Sequence, residues 1–305
     1  MRPSSPCEHI CSRREQFASR LAAVSAFSGL FLRGSNRARK EHCSYDAFHF
    51  SRIEQGDSLP NAMARHQHIL FGQLCLRPKK RVLAVACGNG TVSRQLVHFS
   101  DVDVIGIDTD SRLISRARTA AEEAGLTDRL TYHHVGDLCE ALTNFPDCSF
   151  DAVFAIELGY RITSPKMFYK HVKRILKPSG RLAIYEWCFT DAMTPTNPEH
   201  VVVAQNLLQS FPKTVQENPL STIADLIANL RAGGLVNVTA RDLSLCHTDI
   251  PWYRPLESQQ STRSSPSVSL SWWHGQLSSR ALLTAGRLQI FSPMVLVTGE
   301  KGPSF

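Results

Sequence analysis

From residue 59 onward the chain alternates between two hydrophobic periods. Leu59 to Leu76 carries apolar residues at helical spacing and stops at Arg77-Pro78. RVLAVA (81–86) is a continuous apolar run of strand length, and the CGNG after it is a glycine turn. Thr91 to Phe99 then reads as helix, VDVIGID (102–108) as strand, and Ser111 to Ala124 as a helix closed by Gly125. LTYHHV (130–135) and FDAVFAI (150–156) are strands. Pro165 to Leu176 is a helix stopped by Pro178 and Gly180, and RLAIYEW (181–187) is a fifth strand. Strands separated by helices predict a parallel sheet covered on both faces. The fold class is therefore α/β, doubly wound, with a mostly parallel sheet.

Beyond Trp187 the rhythm changes. Val201 to Leu208 and Ile223 to Arg231 predict helices, and LVNVTARDL (235–243) a strand. LQIFSPMVLVTGE (288–300) predicts a hairpin or an edge strand carrying Pro293. Glu257 to Ser279 is rich in serine with Trp272-Trp273 embedded, and reads as a long loop. Three regions result: a basic extension over 1–44, a core over 45–190, and a segment over 191–305 that completes the sheet and adds helices on the substrate side.

Composition places this chain among ordinary folded proteins. It has 305 residues, 43% hydrophobic and 20% charged, enough to fill a core. No run of 18 uncharged apolar residues predicts a spanning helix. The net charge of +7 is local: eight of the 34 basic and two of the 27 acidic residues fall in 1–40, leaving 26 against 25 elsewhere. A neutral body gives nucleic acid no electrostatic footing. The tail's apolar middle, Phe17 to Leu32, is broken by Arg20 and serines. Such a segment fits an amphipathic stretch on an anionic membrane, an organelle import signal, or a plain extension. The nine cysteines are odd in number, with no C-x-x-C pair and no zinc spacing, so they read as reduced thiols. No metal is expected. His66 and His68, two apart on a helix, and His133 and His134, adjacent on a strand, read as core or surface histidines.

A strand, a glycine turn and a helix make the physical recipe for a nucleotide site, because the backbone can approach closely and helix N–H groups point outward. Here the turn is Ala86-Cys87-Gly88-Asn89-Gly90, and the next strand ends in Asp108-Thr109. A carboxylate at Asp108 suits two ribose hydroxyls, a feature shared by sites for NAD and for S-adenosyl-L-methionine. Two observations favour the latter. The pyrophosphate fingerprint is incomplete, since Thr-Val-Ser-Arg follows Gly90. The third strand ends in Gly136-Asp137-Leu138, an acid for an adenine amine with an apolar neighbour for the ring. With FPDCSFDAVFAIE and LKPSGRLAIYEW in order behind it, the stretch over roughly 75–190 resembles the class I S-adenosylmethionine-dependent methyltransferases.

More specific strings narrow the resemblance. FHFSR (48–52), MARHQHIL (63–70), FDAVFAIE (150–157), KRILKPSGRLAIYEW (173–187), Thr190-Asp191 followed by NPEH (197–200), IPWYRPL (250–256) and FSPM (291–294) occur in one order. Together they resemble the sterol C-24 methyltransferase family over about 45–300. The resemblance implies S-adenosyl-L-methionine, a hydrophobic sterol or terpenoid substrate methylated at a side-chain alkene, and a homo-oligomer. It also implies the cytoplasmic face of the endoplasmic reticulum or the cytoplasm, with organelle import through the basic N-terminus as the alternative. Alkene attack on a methyl leaves a cation, which aromatic faces stabilise and a base resolves. Tyr45, Phe48, Phe50, Trp252 and Tyr253 are the candidate substrate wall. Glu157, Glu186, Tyr185, Trp187 and His49 are the candidate catalytic residues, Glu157 ahead of Glu186 because strand alternation can turn Glu186 away. Each of these aromatics also reads as simple core.

The departures are as informative. The family's V-L-D-V-G-C-G is here Val82-Leu83-Ala84-Val85-Ala86-Cys87-Gly88. Ala84 removes a carboxylate that helps hold the cofactor's amino end, and Ala86 adds a methyl at a close approach. The family's A-T-C-H-A-P after the fourth strand is here Leu158-Gly159-Tyr160-Arg161-Ile162-Thr163, and its Y-G-W-G before FHF is Cys43-Ser44-Tyr45-Asp46. A divergent member acting on a related terpenoid is expected first and a conventional sterol enzyme second. A catalytically impaired homologue serving as a lipid- or partner-binding scaffold is the third expectation.

Overall fold

The computed structural model describes residues 49–162, 164–209, 221–245, 250–254, 256–257 and 279–303. The N-terminal extension, Tyr45, Phe48 and all but the ends of the Ser-rich stretch lie outside the described residues.

Seven strands form one sheet: β1 Arg81–Val85, β2 Asp103–Asp108, β3 Leu130–His134, β4 Phe150–Ile156, β5 Leu176–Phe189, β6 Val236–Asp242 and β7 Phe291–Glu300. Their order is β3-β2-β1-β4-β5-β7-β6, with β1 to β5 parallel and β7 antiparallel to both its neighbours. Among the described residues the α-helices are α1 Leu59–Gln73, α2 Thr91–Ser100, α3 Ser111–Glu123, α4 Leu138–Thr143, α5 Pro165–Ile175, α6 Pro198–Gln209, α7 Ile223–Ala232 and α8 Ser279–Arg287. Local chemistry starts several of them. Ser58 accepts from Asn61 N–H ahead of α1, Asp110 accepts from the first amides of α3, and Thr222 with Asp225 forms a reciprocal cap on α7.

Alternation along β1 shows how both faces are buried. Val82 and Ala84 join the apolar cluster that holds Leu70, Phe71, Leu96 and Ile114 from α1, α2 and α3. Leu83 and Val85 join the opposite cluster, with Leu142, Phe168 and Leu230 from α4, α5 and α7. The parallel, doubly wound sheet is as expected.

One expectation needs correction. Residues 288–300 are neither a hairpin nor an edge. They supply β7, an interior strand between β5 and β6. Pro293 is tolerated there because the β5–β7 register breaks between Glu186 and Cys188, and β6 pairs no further along β7 than Val295. A residue without an N–H fits at such a bulge. Helices α4 and α8 are too short to show in the hydrophobic pattern.

Candidate active site

The C-terminal ends of β1, β2 and β4 open on one side of the sheet, and the glycine turn crosses there. Ala86, Gly88 and Gly90 all take positive φ, at 54°, 56° and 73°. Gly90 is required twice over. Besides its left-handed backbone, a Cβ there would collide with the Tyr132 hydroxyl, which donates to Gly90 O at 3.2 Å. Ala86 adopts the same left-handed conformation with a methyl group, a strained arrangement for an L residue. Burial raises the Cys87 thiol well above its ordinary range, so it is an inert packing group. Ala84 is fully buried, paired with Gly106 and Phe154 in the sheet and facing the α1–α3 cluster.

Asp108 is fully buried at the end of β2. Its Oδ2 accepts from Gly88 N–H at 2.9 Å and its Oδ1 from Asp110 N–H at 3.0 Å. Arg161 adds a two-pronged ion pair, Nη1 to Oδ2 at 3.0 Å and Nη2 to Oδ1 at 3.2 Å. Thr109 beside it is exposed. Asp137 caps α4, accepting from Glu140 N–H at 2.7 Å. Leu138 corrects an expectation. At 1% exposure it packs into the core with Ile107 and Leu142, because the first position of α4 points back at the sheet, and so it offers no open face to a ring. The donor set still fits the cofactor implied by the resemblance: a turn of left-handed residues under a helix start, and a fixed carboxylate one strand over.

The second half of the site is aromatic and is assembled from distant segments. Along β5, Tyr185, Trp187 and Phe189 face one side, and Phe189 pairs in register with Phe291 of β7. Phe50 sits edge-on to Trp187 at 5.7 Å and to Trp252 at 5.2 Å. Phe291 closes the group, 5.8 Å from Trp187 and 5.9 Å from Trp252. Tyr253 leans on Trp252 at 5.6 Å. A bridge between Ile53 and Ile250 ties the Phe50 segment to the Trp252 segment. Phe50, Trp187, Trp252 and Phe291 are each nearly buried, so they form a closed cluster.

Tyr185 does not join the wall as an open face. His66 stacks on its ring at 3.7 Å, and its hydroxyl donates to His66 O at 3.0 Å. His49 stacks on His66 at 5.5 Å, with its Nε2 3.4 Å from Gln67 Nε2. Burial holds His66 well below the ordinary imidazole range, so it is neutral. His68 is buried against Phe71 and Phe99, while His133 and His134 are exposed on β3.

Glu157 follows β4 with φ 58°. It is half-buried, and Oε1 accepts from Phe50 N–H at 3.1 Å. Loss of hydration pushes its carboxyl up to about 8, partly offset by the Phe50 amide and the Trp187 side chain. Glu186 lies between Tyr185 and Trp187 in sequence and therefore faces the other side of the sheet. Its Oε2 accepts from Gly159 N–H at 2.7 Å, and burial raises its carboxyl too. That contact makes Glu186 the support of the turn after β4, away from the aromatic cluster. The sequence does not single out Phe189, Phe291 or Arg161 as site residues, and it reads His66 as a core or surface histidine. The every-second-residue aromatics of β5 and the FSPM string point to the first two; Arg161 shows only as a departure from the family's string after the fourth strand.

Residues 82–180 match the family described as Methyltransferase domain. The sterol 24-C-methyltransferase of Aspergillus fumigatus is 30% identical over 289 residues, covering 84% of this chain and 74% of that protein. The cycloartenol-C-24-methyltransferase of Arabidopsis thaliana is 32% identical over 72% of this chain and 63% of its own length. Several fungal relatives are matched over only about half their length, 54% for that of Yarrowia lipolytica. Among solved structures, the geranyl diphosphate C-methyltransferase of Streptomyces coelicolor superposes with a TM-score of 0.64 at 15% identity, over 83% of this chain and 91% of that one. Among the described residues, no helix is long and apolar enough to cross a membrane. With the strand order, the left-handed turn and the buried acid at the end of β2 in place, the chain belongs to the sterol 24-C-methyltransferase family and is an S-adenosyl-L-methionine-dependent methyltransferase.

Proposed function

We propose that this protein methylates a carbon–carbon double bond in the side chain of a sterol or related terpenoid. The observation that carries this reading is Glu157. It is a carboxyl of raised proton affinity set between the end of β4 and an aromatic cluster, with its bond to the Phe50 amide fixing its direction. The pairing of β4 with β1 puts it beside the glycine turn. The turn amides and Asp108 would hold the cofactor, whose sulfonium supplies an electrophilic methyl.

The rest falls to the chain's own residues. An alkene is a weak nucleophile, so the pocket has to align it and exclude water. The rings of Phe50, Trp187 and Trp252 surround the place where positive charge develops, and ring faces favour a cation by about 0.5–2 kcal/mol each. Glu157, when ionised, stabilises that charge and then accepts the proton that restores neutrality. Because the rings pack against one another, the linked Phe50 and Trp252 segments have to part from β5 to admit a substrate.

The test uses methyl-labelled S-adenosyl-L-methionine with side-chain-unsaturated sterols, lanostane-type triterpenes and shorter prenyl compounds. Wild type should place label on carbon in a sterol or triterpene. Glu157→Gln should lose roughly 10²–10⁴ in turnover with cofactor affinity held within a few-fold. Transfer to no compound, or full turnover in the Gln variant, would refute the proposal.

A further inference from the structure

The turn after β4 reaches across the site and takes hold of the carboxylate that a ribose would need. Each oxygen of Asp108 accepts two hydrogen bonds: Oδ2 from Gly88 N–H and Arg161 Nη1, Oδ1 from Asp110 N–H and Arg161 Nη2. A carboxylate offers about four lone-pair sites, so a vicinal diol finds none left. The two amides belong to the backbone around Asp108 and hold it in place whatever else binds. The guanidinium is the exchangeable pair. Its side chain keeps 12% exposure, against 0% for Asp108. It rides on the three-residue turn Gly159–Arg161, not within a strand or a long helix.

We propose that Arg161 is a built-in competitor for the cofactor, occupying on Asp108 the two positions that ribose hydroxyls take and swinging away when S-adenosyl-L-methionine binds. The exchange replaces two N–H donors with two O–H donors, so the geometry at Asp108 is conserved while a shielded ion pair is given up. Affinity is then set below what the shape of the site allows. The exchange also reaches the chemistry. Glu157 precedes the turn, and Glu186 holds its start through Gly159, so freeing Arg161 releases the far end of the segment that carries Glu157. This inference rests on cofactor binding at Asp108 and does not depend on the substrate.

Isothermal titration with S-adenosylhomocysteine, on wild type and on Arg161→Ala, decides it. Removing the competitor should tighten binding by roughly 10- to 100-fold, the range expected when a pair of charge-assisted bonds no longer has to be broken. The same variant should melt at lower temperature without ligand, because Asp108 loses its counter-charge. Should the alanine variant fail to fold, Arg161→Lys serves: it keeps a charge but not the two-pronged fit, and should bind several-fold tighter than wild type. Unchanged or weaker binding in whichever variant folds would overturn the proposal, since Arg161 would then stay on Asp108 in the complex or hold the cofactor itself.

Discussion

The two halves of the site are built by opposite means. The half proposed for the cofactor comes from consecutive strand–turn–helix units between Arg81 and Leu138, and each residue in it ends or closely follows the strand that delivers it. The aromatic half draws on residue 50, on β5, on residues 252 and 253, and on Phe291, brought together only when β7 inserts beside β5. A local site tolerates drift at single positions because the backbone does much of the binding. A non-local one depends on the whole sheet closing. This chain's sequence departures at Ala84 and Ala86 fall in the local half, where the fold survives them.

The sharpest way to break the cofactor half is Asp108→Ala. It removes the acceptor of both backbone amides and of Arg161, and the acceptor proposed for the ribose. Titration with S-adenosylhomocysteine should show affinity weaker by about tenfold or more. Calorimetry should show a lower melting temperature, since a shielded ion pair is lost. Unaltered affinity in a folded variant would place the nucleotide elsewhere.

The aromatic half should be less sensitive to any one residue. Trp187→Leu keeps an apolar side chain beside Phe50 and Phe291 while deleting the ring. A cation–π contribution of about 0.5–2 kcal/mol translates into roughly 2- to 30-fold slower turnover at unchanged cofactor affinity. An equal loss of cofactor binding would show that the two halves are not separable.

The smallest effect is expected at Ala86. Its φ of 54° suits glycine, and glycine relieves a left-handed strain of about 1–2 kcal/mol less its own entropy cost. Ala86→Gly should therefore raise the melting temperature by a few degrees at most. A fall would mean that the methyl, half-buried against the α4–α5 side, packs usefully.

The same contrast explains what the sequence made legible. Strands β1 to β5 and the turn were readable because period and punctuation are local properties, and Asp108 followed from its place at a strand end. Pro293 misled because nothing along the chain reveals a bulge opposite Trp187. Leu138 misled because the first turn of α4 directs it inward, a matter of three-dimensional direction. Arg161 was visible only as a departure from a familiar string; its hold on Asp108 spans 53 residues and is a tertiary fact.

The central claim is that Glu157 acts as a base in a shielded site between the two halves, and the pH dependence of kcat/KM tests it most directly. Burial raises its carboxyl from 4.5 to about 8, so the ionised form that accepts a proton accumulates only as pH rises through that value. Turnover of labelled methyl into substrate should therefore climb with pH through about 8 in wild type. The climb should persist in Glu186→Gln, whose carboxyl is raised as well but supports the turn, and vanish in Glu157→Gln. A wild-type profile that is flat or falls across that range, or a climb that survives Glu157→Gln, would contradict it.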